Sequence, residues 1–142
     1  MGGTIREIEV VDCWKYAGNK PPIPTLKIKI IGVGKEREIT FNIDTGYPGE
    51  ILLSTKLYED LNLFLAELPE ENFGVYRTAS GLIEVKRSEA IIEILNIGFR
   101  TDVIIETPRY YIFDRNLVGR SLINKLILLI DGKNNETCII RY

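Results

Sequence analysis

The sequence contains no histidine and no glutamine. Without histidine there is no Ser-His-Asp triad, no Cys-His pair, no imidazole base and no His-ligated zinc. Chemistry is left to carboxylates, hydroxyls, backbone groups, Lys, Arg or Cys. Alanine is scarce, at 4 residues, against 22 Ile and 7 Val. Ile and Val are stiff at χ1 and favour strands, which argues against an all-helical bundle. Positive charge is not in surplus either, with 18 basic against 20 acidic residues, so no nucleic-acid partner is expected. The longest unbroken apolar run, Leu126 to Ile130, is far too short to span a membrane. Met1 to Val10 carries Arg6, Glu7 and Glu9 and no apolar segment, so it does not read as a signal peptide. A soluble, cytoplasmic protein is expected, with no membrane partner.

At 142 residues the chain has the length of one domain able to bury a core without metals or disulfides. Low-complexity linkers, long charge blocks and strong internal repeats are absent. Cys13 and Cys138 lie far apart and form no metal-ligand spacing, so they read first as two small buried hydrophobes. The Ile-rich, Gln-free and Glu/Lys/Arg-rich composition resembles that of thermophile proteins, whose cytosol tolerates disulfides. A Cys13–Cys138 bridge is therefore the second reading.

Short strands separated by turns account for most of the chain. A first strand includes Val10-Val11 and the residues before them. Gly18, Pro21, Pro22 and Pro24 mark a loop. Leu26, Ile28 and Ile30 alternate with Lys27 and Lys29, the spacing of a half-buried strand, and Gly32 and Gly34 mark a hairpin turn. The returning strand, about Glu38 to Ile43, runs into Asp44-Thr45-Gly46. Ser54 or Thr55 is placed to cap a short helix ending near Asn62. A hairpin is expected over roughly 73 to 87, turning at Ala79-Ser80-Gly81, with separate strands over Ala90 to Leu95 and Phe99 to Ile105. Leu117-Val118 leads to Gly119-Arg120, Ser121 is placed to cap a second short helix, and a closing hairpin turns at Asp131-Gly132-Lys133-Asn134. Many short strands with two short helices point to a small β-barrel or sandwich.

Asp-Thr-Gly alone is weak: average composition gives it by chance in roughly 3% of chains this long. Its context is more specific. Asp44 follows the apolar strand Ile39-Thr40-Phe41-Asn42-Ile43, and an apolar stretch, Ile51-Leu52-Leu53, follows the turn. Near the C-terminus, Leu117-Val118-Gly119-Arg120-Ser121-Leu122-Ile123 breaks a strand at glycine and enters a helix. Together with the glycine-marked hairpin between them, these segments resemble the retropepsin-like aspartic peptidases, over roughly residues 26 to 142. Tyr47 stands where the retroviral members carry Ala or Ser, and is similar to a microbial branch with an aromatic residue after Asp-Thr-Gly. Ser121 stands where Asp or Asn is usual. Pro48 and Gly49 replace acids that pair with the second-motif arginine, which leaves Glu50 as the expected partner of Arg120.

The resemblance implies an all-β retropepsin-like barrel spanning residues 1–142 as one domain, with a flap hairpin and one or two short helices. It implies Asp44 as the catalytic carboxylate, Thr45, Gly46, Gly119 and Arg120 as support for the active-site loop, and Ala79, Ser80 and Gly81 as the flap tip. Tyr47 is open between lining a substrate pocket and packing on the Asp loop, and Tyr76 between a flap aromatic and an ordinary strand residue. Tyr110 and Tyr111 read as packing residues. No cofactor and no metal is implied. One Asp-Thr-Gly is half of a two-carboxylate site, so the expected enzyme is a C2 homodimer with Asp44 of each subunit on the axis. Thr137 to Tyr142, with Ile5 to Val11, are candidate interleaving ends. The expected substrate is an extended peptide bound as an added strand. A dimeric peptide-binding domain without turnover is the alternative. A carboxylate-metal hydrolase has no ligand spacing behind it.

Overall fold

The computed structural model describes residues 9–141. Ten strands and two short helices follow in order: β1 Glu9–Lys15, β2 Thr25–Ile31, β3 Glu36–Ile43, β4 Ile51–Leu52, α1 Thr55–Asp60, β5 Gly74–Thr78, β6 Gly81–Ile94, β7 Phe99–Pro108, β8 Leu117–Val118, α2 Arg120–Ile123, β9 Leu128–Asp131 and β10 Glu136–Arg141. Tight helical turns cover Leu63–Ala66, Glu70–Asn72 and Leu95–Ile97. The larger sheet runs β2-β3-β8-β4-β7-β6-β5, and a further pairing of β2 with β6 closes it into a barrel. The all-β expectation holds.

The barrel follows from the alternation in β2 and β3. Leu26, Ile28 and Ile30 are fully buried, and Phe41 and Ile39 oppose Leu26 and Ile28 across the antiparallel ladder. Ile92 on β6 and Ile105 on β7 fill the same interior. Each such side chain contributes about 1.5–3 kcal/mol relative to exposure. Gly34, at φ +70°, supplies the left-handed residue that the β2–β3 hairpin needs. Ser54 caps α1, its hydroxyl accepting from the Leu57 amide at 3.3 Å, as the sequence implies.

Three expectations need correction. The hairpin over 73 to 87 and the strand over Ala90 to Leu95 are not separate, because β6 runs unbroken for 14 residues. One end of β6 pairs with β5, the other with β2, and all of its length from Val85 pairs with β7. Ser121 is not the cap of α2; Gly119 occupies that position in extended backbone. Cys13 and Cys138 are not free buried thiols but a cross-strand cystine joining β1 to β10. The described parts of the two candidate interleaving ends pair with each other, Val10 opposite Ile140, and β9 lies on the other side of β10, Cys138 opposite Leu129. Residues 5–8 and Tyr142 lie outside the described residues. Among the described residues no helix is long and apolar enough to cross a membrane.

Candidate active site

Strand order positions the Asp-Thr-Gly turn. β8 lies between β3 and β4, parallel to the first (Ile43 beside Val118) and antiparallel to the second (Ile51 opposite Val118). The chain leaving β3 must therefore loop over β8 before returning as β4, and that loop is 44–50. The segment after β8 staples it. The Asp44 amide donates to the Val118 carbonyl at 3.0 Å, the Gly119 amide to Glu50 at 2.9 Å, and the Arg120 amide to Tyr47 at 2.9 Å. The Ser121 hydroxyl donates to the Pro48 carbonyl at 2.6 Å. Gly119 is required by close approach: a Cβ there would stand 2.3 Å from the Gly49 carbonyl oxygen and 2.6 Å from that of Tyr47. The two sequence motifs thus meet in space, and Arg120 supports the loop through its backbone amide.

Asp44 is partly exposed and opens into a cleft of about 560 Å³. The Gly46 amide donates to Asp44 Oδ1 at 2.9 Å, fixing the carboxylate within its own turn. Thr45 and Gly46 are exposed at the tip. Across the cleft, β5 and β6 form the hairpin expected as a flap. Its tip, Ala79-Ser80-Gly81, is exposed, with the Thr78 hydroxyl donating to the Gly81 carbonyl at 2.9 Å. Gly81, at φ +118°, makes the turn.

The sequence reading missed Glu106. This carboxylate, on β7, is 2% exposed. Its Oε1 accepts hydrogen bonds from the hydroxyls of Tyr47 and, at 2.6 Å, Tyr76. Its Oε2 accepts from Arg87 Nε at 2.7 Å. One buried acid therefore joins the Asp loop (Tyr47), both flap strands (Tyr76 and Arg87) and the barrel wall. Burial first, then the Glu106 carboxylate, pushes the Tyr47 phenol far above its ordinary pKa, and the same causes raise Tyr76, with Arg87 opposing. Gly49 and Gly74 make room: a Cβ on Gly49 would meet the Tyr47 hydroxyl and Glu106 Oε1, and one on Gly74 would meet Arg87. The Tyr47 ring is buried behind the Asp loop, and the residue also lines the Asp44 cleft. Tyr76 stands edge-on to it, ring centroids 5.9 Å apart. A signal for Glu106 exists, as an acid ending the apolar run Val103-Ile104-Ile105. Its partner Arg87 is directly opposite on β6, a register that the sequence does not spell out.

Two further expectations fail. Glu50 does not pair with Arg120. It accepts from the Ile104 amide at 3.0 Å and pairs with Lys125 at 3.5 Å. Tyr110 and Tyr111 do not pack inside; they are 73% and 49% exposed on the loop before β8, and Tyr111 lines the Asp44 cleft. A larger hollow of about 790 Å³ shares Pro48 and Tyr76 with that cleft but does not contain Asp44.

No family model matches the sequence, and no curated protein matches it. Solved structures do share the architecture. A retropepsin-like aspartic protease from Rickettsia conorii superposes with a TM-score of 0.56 at 18% identity, over 94% of this chain and 92% of that one. EIAV protease complexed with the inhibitor HBY-793 superposes with a TM-score of 0.50 at 16% identity, over 77% of this chain and 92% of that one. Identities this low carry the fold alone, and the fold agrees with what the two sequence motifs imply: the chain has the retropepsin-like fold of aspartic proteases.

Proposed function

We propose that the protein is a homodimeric aspartic endopeptidase whose active site pairs Asp44 of one subunit with Asp44 of the other. The observation that carries this reading is the Asp44 turn itself, clamped between β3, β8 and β4 and facing a cleft under a flap, within a retropepsin-like fold. Each chain supplies one such carboxylate, so the site is complete only in a two-fold dimer.

Two carboxylates a few ångström apart do not both ionise and share one proton. The ionised member removes a proton from a water as the water oxygen bonds to the scissile carbonyl carbon. The protonated member delivers its proton to the carbonyl oxygen, giving a neutral gem-diol. Collapse of that species breaks the C–N bond. The first carboxyl returns its proton to the leaving nitrogen, and the second recovers one from a diol hydroxyl, so that one acid and one amine are released. No imidazole or metal is called for, in keeping with a chain that lacks histidine. The exposed flap tip closes over the peptide and excludes water. The alternative of a dimeric peptide-binding domain without turnover draws on crowding of the Asp turn by Tyr47 and Pro48, and the hydrogen bond of the Tyr47 phenol to Glu106 weakens the Tyr47 part of it. A cytoplasmic setting belongs to the same reading, in a cytosol that tolerates the cystine.

Asp44→Asn tests the assignment. The expected result is loss of cleavage of a mixed peptide library, with the oligomeric state unchanged by sedimentation. Cleavage at the wild-type rate would remove Asp44 from the mechanism.

A further inference from the structure

Eight arginines lie among the described residues, and five of them are ion-paired. Arg37 pairs with Asp60, Arg87 with Glu106, Arg100 with Glu93, Arg109 with Glu70 and Glu84, and Arg141 with Glu9. Arg77, Arg115 and Arg120 have no carboxylate partner among the described residues, and all three line the Asp44 cleft. Asp44 is the only acidic side chain in that lining. Three guanidinium groups against one carboxylate make the cleft locally cationic, in a chain whose formal net charge is −2. They also stand on three separate elements: Arg77 on flap strand β5, Arg115 on the loop before β8, and Arg120 at the start of α2. The floor between them is apolar, with Leu52, Ile83, Val85 and Leu117.

A guanidinium is weakly hydrated and presents a planar fork that matches a carboxylate in bidentate geometry. A half-enclosed wall of one sign also concentrates ligands of the other sign before contact. We propose that this cleft selects extended peptides in which an apolar residue, seated on the floor, is flanked by Asp or Glu side chains that meet Arg77, Arg115 and Arg120. This specificity deepens the peptidase reading and rests on it for cleavage, but the recognition step precedes chemistry and is measurable without it.

The test uses acetylated and amidated peptides, so that side chains are their only carboxylates. The peptides are identical except for Glu, Gln or Lys at the positions flanking one apolar pair. Binding is read by fluorescence anisotropy on the full-length Asp44→Asn protein and cleavage on the wild type. The Glu peptide is expected to bind on the order of tenfold more tightly than the Gln peptide. The Lys peptide should bind more weakly still, and the Glu advantage should shrink as salt rises. Arg115→Glu and, separately, Arg77→Glu should each lower the Glu-to-Lys preference by at least about tenfold. Equal binding of the three peptides, or a preference untouched by both variants, overturns the specificity even if cleavage occurs. Glu-selective binding without cleavage by the wild type sustains the specificity and overturns the peptidase reading. No binding and no cleavage overturns both.

Discussion

Glu106 is the residue on which the candidate site's internal order depends. It is buried, and its two oxygens satisfy two phenols and a guanidinium. Glu106→Leu would leave all three donors without their acceptor, an outcome expected to cost about 3–5 kcal/mol. Tyr47→Phe removes one donor, leaves the carboxylate paired with Tyr76 and Arg87, and is expected to cost about 1–2 kcal/mol. Urea unfolding of the two variants checks both the size and the order of the losses. Equal, negligible losses would mean that the three side chains do not converge on Glu106 in solution. The sequence marks Glu106 only as an acid ending an apolar run and Tyr47 only as an unusual residue after Asp-Thr-Gly, and it does not show that the two meet. Burial of a charge is a property of register, and the register that opposes Arg87 to Glu106 emerges only when β6 and β7 are paired.

Elements are most legible where a strand is buried on one face. The alternation of Leu26, Ile28 and Ile30 with lysines locates β2, the same logic locates β3, and the turn residues Asp131-Gly132-Lys133-Asn134 locate the closing hairpin. The sequence divides β6 into two pieces because Arg87-Ser88-Glu89 interrupts its apolar pattern. Ser88 in fact points inward, and its hydroxyl is satisfied by the Leu63 carbonyl at 2.7 Å. A polar residue bonded inside the core does not end a strand. Ser121 has the position of a helix cap in the sequence, but its hydroxyl serves the Asp loop by holding Pro48. The meeting of the two motifs was legible in outline, and Gly119 is where it is tightest. Gly119→Ala forces a Cβ against two backbone carbonyls of the Asp loop, which no side-chain rotation relieves. The expected cost is about 2 kcal/mol or more of stability. The displaced Asp44 turn should lower peptide hydrolysis by at least tenfold on this reading. A folded Gly119→Ala protein with unchanged stability and activity would contradict the clamp.

At the scale of the whole molecule, the cystine closes a segment with a sequence separation of 125 residues, tying β1 to β10 and sealing the smaller sheet within one chain. The Cys13→Ser, Cys138→Ser double variant is expected to lose about 2–5 kcal/mol in chemical denaturation, and the wild type should lose a similar amount on reduction. Insensitivity to reduction, with two titratable thiols in the unfolded and unreduced protein, would contradict the bridge. Among the described residues β1 and β9 form the outer edges of the smaller sheet, and Leu129 and Ile130 on β9 are about half exposed. That a catalytic pair spans two chains is the central claim, and subunit mixing tests it most directly. Wild-type and Asp44→Asn chains are unfolded together in equal amounts with reductant, refolded under oxidising conditions, and assayed for peptide hydrolysis. If the site is shared, random pairing leaves about a quarter of the dimers with two intact carboxylates, so activity per wild-type chain falls to about one half. Activity per wild-type chain that is unchanged by the mutant partner would show that each chain works alone, and the shared Asp44 pair would be wrong.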